Sequence, residues 1–243
     1  MLGVQLFTVR SYLETEQDIR DTAKKLKDMG CECVQLFHGD EKLETVCRIF
    51  SEEEIGILGT LSSLEVLEDN PTLFEVCKRY GLRDIGISSW VIDEADVDEF
   101  IPRVNSFAKK VREQGFTFSY HNHAQEFTRL PSGKTVMDRF LTEFCEDVSF
   151  MPDTYWLQTG GADVREWIEK NGSRASMLHL KDLTVYDKKP TFAPVGQGNL
   201  NFKGRVAAAK SAGINVFVIE QDRCLQDPFE CVRISIEYSK ALL

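Results

Sequence analysis

Residues 116–127 read FTFSYHNHAQEF, an apolar run that ends in two histidines and a glutamate. Three later stretches have the same form: MPDTYW at 151–156, MLHLKDL at 177–183 and FVIEQD at 217–222. Each starts as a buried strand would and ends in side chains able to hold a divalent metal. One such ending is ordinary, since a carboxylate after a strand is commonly a helix N-cap or a loop charge. Four in succession, at the same end of each strand, predict a barrel that gathers its polar residues at one mouth.

Outward from these stretches the chain alternates strand and helix. GVQLF (3–7) is a first strand, and EQDIRDTAKKLKDM (16–29) a helix with Ile19, Ala23 and Leu26 on one face, closed by Gly30. CECVQLF (31–37) is the second strand. A helical segment with Leu43, Val46 and Phe50 leads to the third, IGILGTLS (55–62). Asn70-Pro71 reads as an N-cap followed by a first-turn proline, ahead of a helix over LFEVCKRY (73–80). DIGISSW (84–90) is the fourth strand; a helix over 97–114 stops at Gly115, and FTFSYHNH (116–123) is the fifth. Val136 to Phe144 is helical, VSFMPDT (148–154) the sixth strand, and Asp163 opens a short helix through Trp167 and Ile168. ASMLHLKD (175–182) is the seventh strand, 183–201 a long loop, and FKGRVAAAKSA (202–212) a helix. NVFVIEQD (215–222) is the eighth strand, and Asp227-Pro228 caps a last helix with Phe229, Val232 and Ile236 on one face. Eight apolar strands, each followed by a helix, predict an α/β protein, a (β/α)8 TIM barrel forming one domain over 1–243. No GxGxxG follows the first strand, which argues against an open dinucleotide-binding sheet.

Composition narrows the partners. Hydrophobic residues make up 42% of the 243, the formal charge is −10 and the pI about 5.0. That balance predicts neither nucleic-acid nor membrane binding. No apolar run reaches the roughly 18–20 residues of a bilayer span, and MLGVQLFTVR lacks the form of a signal peptide, so a cytoplasmic location is expected. Seven cysteines are an odd number, and Cys31 and Cys33 are too close for CxxC. Buried free thiols are expected.

Strand phase assembles the site. All four histidines, His38, His121, His123 and His179, fall at or just past strand ends. Residues two apart share a face, so His121 pairs with His123, His179 with Lys181, and Glu220 with Asp222. With His121 and His179 facing the axis, Asp153 and Glu220 converge on them, and Glu126 is placed to fold back over the mouth. A mixed carboxylate and imidazole set suits Mn2+, Zn2+, Co2+ or Mg2+. Phe7, Trp90 and Trp156 fit either core packing or an apolar wall for a sugar ring. Gly196-Gln197-Gly198 fits either a plain turn or a phosphate cradle.

GVQLFTVR, YHNHAQEF, PDTYW, HLKD, VGQGNLNF and VIEQD, spread over the whole chain, resemble the xylose isomerase-like TIM-barrel superfamily, in the group of sugar phosphate isomerases and epimerases. The resemblance implies a small-molecule sugar substrate and a divalent metal held by residues of strands five to eight. Asp153, His179 and Glu220 carry over as ligands. The fourth departs: where ketose epimerases have a glutamate on strand five, this chain has His121, so either His121 or Glu126 completes the set. The implied chemistry is proton abstraction beside a carbonyl, with Glu220 as one base and His121, His123 or Glu126 as its partner. Lys181, Trp156, Gln5 and Asp222 are the implied substrate contacts. Isomerase or epimerase is the leading expectation. A His–Glu pair equally fits a dehydratase or lyase acting on an inosose or 3-keto-glycoside, and a non-catalytic sugar-binding barrel is the third reading. An endonuclease IV-like role is disfavoured by four histidines and a charge of −10. Members of the family are often homo-oligomers.

Overall fold

The computed structural model describes residues 1–243. Its strands are β1 (Leu2–Gln5), β2 (Cys33–Leu36), β3 (Gly56–Ser62), β4 (Asp84–Ile87), β5 (Thr117–His121), β6 (Val148–Met151), β7 (Leu178–Leu180), β8 (Asp182–Tyr186), β9 (Lys189–Ala193) and β10 (Phe217–Ile219). Eight of them form one parallel sheet in the order β6-β5-β4-β3-β2-β1-β10-β7. The two ends of that sheet meet at a thin seam. The backbone bridges there are Phe150↔Ala175 and Asp153↔His179, through Ser176 N–H to Phe150 O and His179 N–H to Pro152 O, both 2.9 Å, and the Thr154 hydroxyl also crosses the seam, accepting from Lys181 N–H at 2.9 Å. The result is a nearly closed barrel ringed by helices, as expected.

The helices are α1 (Glu16–Asp28), α2 (Leu43–Glu52), α3 (Leu64–Asp69), α4 (Leu73–Arg79), α5 (Glu94–Glu113), α6 (Val136–Glu143), α7 (Thr154–Thr159), α8 (Val164–Asn171), α9 (Phe202–Ser211) and α10 (Pro228–Leu242). No helix is long and apolar enough to cross a membrane. The main core lies between sheet and helices, where Phe100, Phe118, Tyr120, Phe140, Phe144 and Phe150 are buried. Phe140 and Phe144 stack with centroids 4.5 Å apart. Inside the barrel, Met151, Met177 and Val218 form a separate small cluster below the polar mouth. Gly59 is required by closeness, since a Cβ there would meet the carbonyl oxygen of Asp84 at 2.1 Å. All seven cysteines are free, and five are buried.

Three local readings are corrected. The long loop at 183–201 begins with an antiparallel hairpin, β8 with β9, turned by Asp187 and Lys188 at φ 47° and 61°. Positive φ at both central residues matches a type I′ turn, for which Asp-Lys is not a sequence signal. Asn70-Pro71 does not start a helix. Asn70 ends α3, which Ser63 caps, and its side chain accepts from Thr72 N–H at 2.9 Å, a turn that spaces α3 from α4. The sixth strand ends at Met151, and Asp153 starts α7 at once.

Candidate metal centre and active site

Four side chains from the ends of three strands and one helix start meet at the C-terminal mouth. His121 ends β5, Asp153 is the N-cap of α7, His179 lies in β7, and Glu220 follows β10. All are buried, at 2%, 0%, 0% and 5% exposure, so Glu220 is the most accessible. One ligand atom from each lies within 4.8 Å of every other. His121 Nε2 is 3.5 Å from Asp153 Oδ2 and 3.8 Å from Glu220 Oε2, and His179 Nδ1 is 2.9 Å from Glu220 Oε2. A tetrahedral ion with bonds of about 2.1 Å would set such edges at about 3.4 Å.

Asp153 divides its carboxylate between two tasks. Oδ1 accepts from Tyr155 N–H and Trp156 N–H at 2.8 and 2.9 Å, capping α7, while Oδ2 faces the cluster with the Lys181 ammonium 3.1 Å away. The helix cap thereby fixes the direction of the other oxygen. Both readings of this aspartate, cap and cluster member, hold at once.

His179 is oriented by a chain of fixed donors. Phe7 N–H donates to Gln5 Oε1 at 3.2 Å, and Gln5 Nε2 donates to Gln35 Oε1 at 2.8 Å. The same Gln35 oxygen lies 2.9 Å from His179 Nε2. Because that oxygen only accepts, Nε2 carries the hydrogen, and in the neutral ring Nδ1 is a lone pair. That lone pair faces Glu220 Oε2 at 2.9 Å, a contact that a cation bound by both atoms would relieve. His121 adds two buried ring nitrogens without partners. The orphaned atoms and the mixed nitrogen and oxygen donors fit a divalent transition ion.

Lys181 supplies one positive charge from below 2% exposure. Its Nζ is 3.1 Å from Asp153 Oδ2, 2.9 Å from Glu220 Oε2 and 2.7 Å from Asp222 Oδ1. Burial alone would lower its pKa, but the three carboxylates outweigh burial and hold the ammonium charged. Burial would likewise raise Glu220, yet the Lys181 ammonium keeps it well below the usual carboxylate range. Burial drives the pKa of His121 far down, so its imidazole is neutral. Three carboxylates against one ammonium leave two negative charges, the number a divalent cation cancels.

The other expected residues are placed as follows. His123 stands beside the cluster, its ring 5.1 Å from that of His121, 4.8 Å from Trp90 and 5.3 Å from Trp156. Burial, then Lys181, lowers its pKa to about 4. Trp156 lies over the Lys181 ammonium at 5.4 Å and against Phe192 of the hairpin, at 5.7 Å. Asp222 reaches the cluster through Lys181, and Gln5 reaches it through Gln35. Glu126 is not brought to the cluster: it accepts from Tyr120 Oη at 2.7 Å and from His123 N–H at 2.9 Å. Burial pushes its carboxyl up to about 7. The sequence reading did not single out Gln35 or Tyr120. Gln35 had a signal, a lone amide in the apolar run CVQL, whereas the hydroxyl of Tyr120 in an aromatic strand had none. A cavity of about 570 Å3, lined by Asp84, Thr117 and Ser176 among others, lies at the opposite end of the barrel and contains none of these residues.

Residues 72–242 match the family described as xylose isomerase-like TIM barrel, and the chain belongs to it. No curated protein matches the sequence. Among solved structures, a sugar phosphate isomerase/epimerase from Parabacteroides distasonis is 22% identical with a TM-score of 0.81, over 99% of this chain and 93% of that one. D-allulose 3-epimerase from Methylomonas sp. is 12% identical, TM-score 0.77, over 100% and 97%. A probable 3-DHS dehydratase from Bacillus anthracis is 12% identical, TM-score 0.75, over 98% of each chain. At these identities the likeness is one of fold.

Proposed function

We propose that this member of the xylose isomerase-like TIM barrel family is a divalent-metal-dependent enzyme that removes a proton beside the carbonyl of a sugar or keto-sugar, with isomerisation or epimerisation as the outcome. The observation that carries the reading is the buried convergence of His121, Asp153, His179 and Glu220 at the mouth where barrels of this kind do chemistry. These four would hold the ion. When bound, the metal would polarise the substrate carbonyl and stabilise the enediolate charge.

The chain's own groups supply the rest. Glu220, the most accessible of the four, is the base that takes the substrate proton. The neutral ring of His123 stands above His121 and serves as its partner on the other side of the substrate. Lys181 and Asp222 orient sugar hydroxyls, and Trp156 offers a ring face to the sugar's C–H side. Sugar epimerases among the solved structures of the same fold support the substrate class.

A second reading is a dehydratase or lyase on an inosose or 3-keto-glycoside. It is favoured by the placement of Glu126, whose two oxygens are taken by Tyr120 and His123, so that no second glutamate joins Glu220 in the cluster. One experiment serves both readings. Stripped protein is reloaded with Mn2+, Co2+, Zn2+ or Mg2+, and C–H exchange in D2O is followed by NMR over ketoses, inososes and 3-keto-glycosides. Metal-dependent exchange that Glu220→Gln abolishes supports proton abstraction; epimer products support the first reading, and loss of water or aglycone the second. A protein that binds no divalent metal defeats both.

A further inference from the structure

The glycine loop that sequence alone offers as a phosphate cradle is already filled. Gly196 N–H and Gly198 N–H both donate to Asp182 Oδ2 at 2.9 Å, and Leu200 N–H donates to Asp182 Oδ1 at 3.2 Å. A Cβ on Gly198 would strike that carboxylate at 2.3 Å, so the loop is built around the aspartate. The inward-facing amides that would hold a phosphate hold an internal anion instead.

Another pocket beside the cluster has the opposite character. It occupies about 230 Å3 between the loop after β1 and the loop after β10, and is lined by Thr8, Arg10, Ser11, Asp222, Arg223 and Cys224, with Pro228 at the start of α10. Arg10 and Arg223 pair with no carboxylate, as is true of half of the arginines, but they are the two that line one pocket together. Arg10 is held in place by backbone: Nη1 donates to Phe7 O at 2.8 Å and to Asp222 O at 2.9 Å, which leaves Nη2 and Nε to a ligand. Thr8 Oγ1 accepts from Gln221 N–H at 3.0 Å, so its own hydrogen is available to donate. The two acidic groups nearby each have one oxygen engaged, Oδ1 in both. Asp222 binds Lys181, and Asp227 accepts from Phe229 N–H and Glu230 N–H at the start of α10.

We propose that this pocket binds the phosphate group of a sugar phosphate, with Arg10 and Arg223 as its cations and Thr8 and Ser11 as hydroxyl donors. The inference rests on the reading of the mouth as a sugar site and extends it from sugars to their phosphate esters. Asp222 joins the two, because its side chain touches Lys181 of the cluster while its backbone oxygen holds Arg10. Two guanidinium forks around a phosphate match its geometry better than a single lysine would.

The test titrates the full-length protein with inorganic phosphate by calorimetry, with EDTA present so that no metal reports the binding. Wild type is expected to bind, with affinity falling as salt rises, and Arg223→Gln to bind about tenfold more weakly. Arg223→Lys should recover part of the loss. Fructose 6-phosphate should bind wild type more tightly than fructose does, and Arg223→Gln should erase that difference. A separate Mn2+ titration is expected to be the same in wild type and Arg223→Gln, which also reports that the variant is folded. Phosphate binding that is absent in wild type, or equal in the variant, overturns the proposal while Mn2+ binding leaves the metal reading standing. Absence of Mn2+ binding overturns that reading instead.

Discussion

At the scale of single residues, Gln35 is the most informative position outside the cluster itself. Its oxygen fixes which nitrogen of His179 is free, so Gln35→Leu should cost about ten- to a hundredfold in metal affinity, measured by competition with a chelator. Unchanged affinity would show that the relay from Phe7 does not set the ring. Asp84 makes a second case, far from the mouth. Burial pushes its carboxyl up to about 7, with the hydrogen bond from Ser119 opposing. A folded pKa above the unfolded one means stability that is full below about pH 4 and is lost as pH rises through about 7. Urea unfolding should show wild type losing on the order of 2–4 kcal/mol more than Asp84→Asn between pH 4 and pH 8. Histidines and carboxylates at strand ends were legible because their chemistry is visible in the letters and strand phase fixes their face. Gln35 and Tyr120 were not, because an amide or phenol acquires its role only from what the fold sets opposite it. The same limit separates His121 from Glu126: five residues apart in sequence, they end up on different partners because Tyr120 and the His123 amide capture the glutamate.

At the scale of elements, caps and glycine stops were readable and turns between residues of mixed type were not. Thr15 opens α1 with a capping box shared with Asp18, so Thr15→Ala should cost about 1 kcal/mol in chemical denaturation. The hairpin of β8 and β9 escaped notice because its turn uses Asp187 and Lys188 at positive φ in place of the usual Asn-Gly. Relieving that strain with Lys188→Gly should stabilise the hairpin by about 1 kcal/mol, slowing amide exchange across its strands about fivefold. No change in exchange would mean that Phe192, stacked on Tyr155 at 4.2 Å, already holds the hairpin down. Asn70-Pro71 misled for a related reason. The same Asn side chain that caps a helix can close a turn on the residue two ahead, and only the neighbouring helix α3 decides which.

At the scale of the molecule, barrel closure and metal binding are one problem. Asp153 and His179 stand on opposite sides of the thin seam between β6 and β7. An ion shared by them would tie the seam, so metal at a hundredfold above its Kd should add about 2.7 kcal/mol, or roughly 5–10 °C in Tm. Amide exchange at Ser176 and His179 should slow on metal addition more than exchange in β4 does; equal slowing everywhere would separate the seam from the ion. The alternation of eight strands was plain in the sequence, since fully buried parallel strands and glycine-ended helices leave strong patterns. The position of the seam was not, because it depends on how far each strand runs before its partner turns away. Lys181 bears on when the ion arrives. A nascent chain that had to wait for a metal before three carboxylates could be brought together would stay open and vulnerable until one was delivered. With an ammonium already among them, the barrel can finish folding first and be metallated afterwards, so its supply of folded protein does not track the supply of metal.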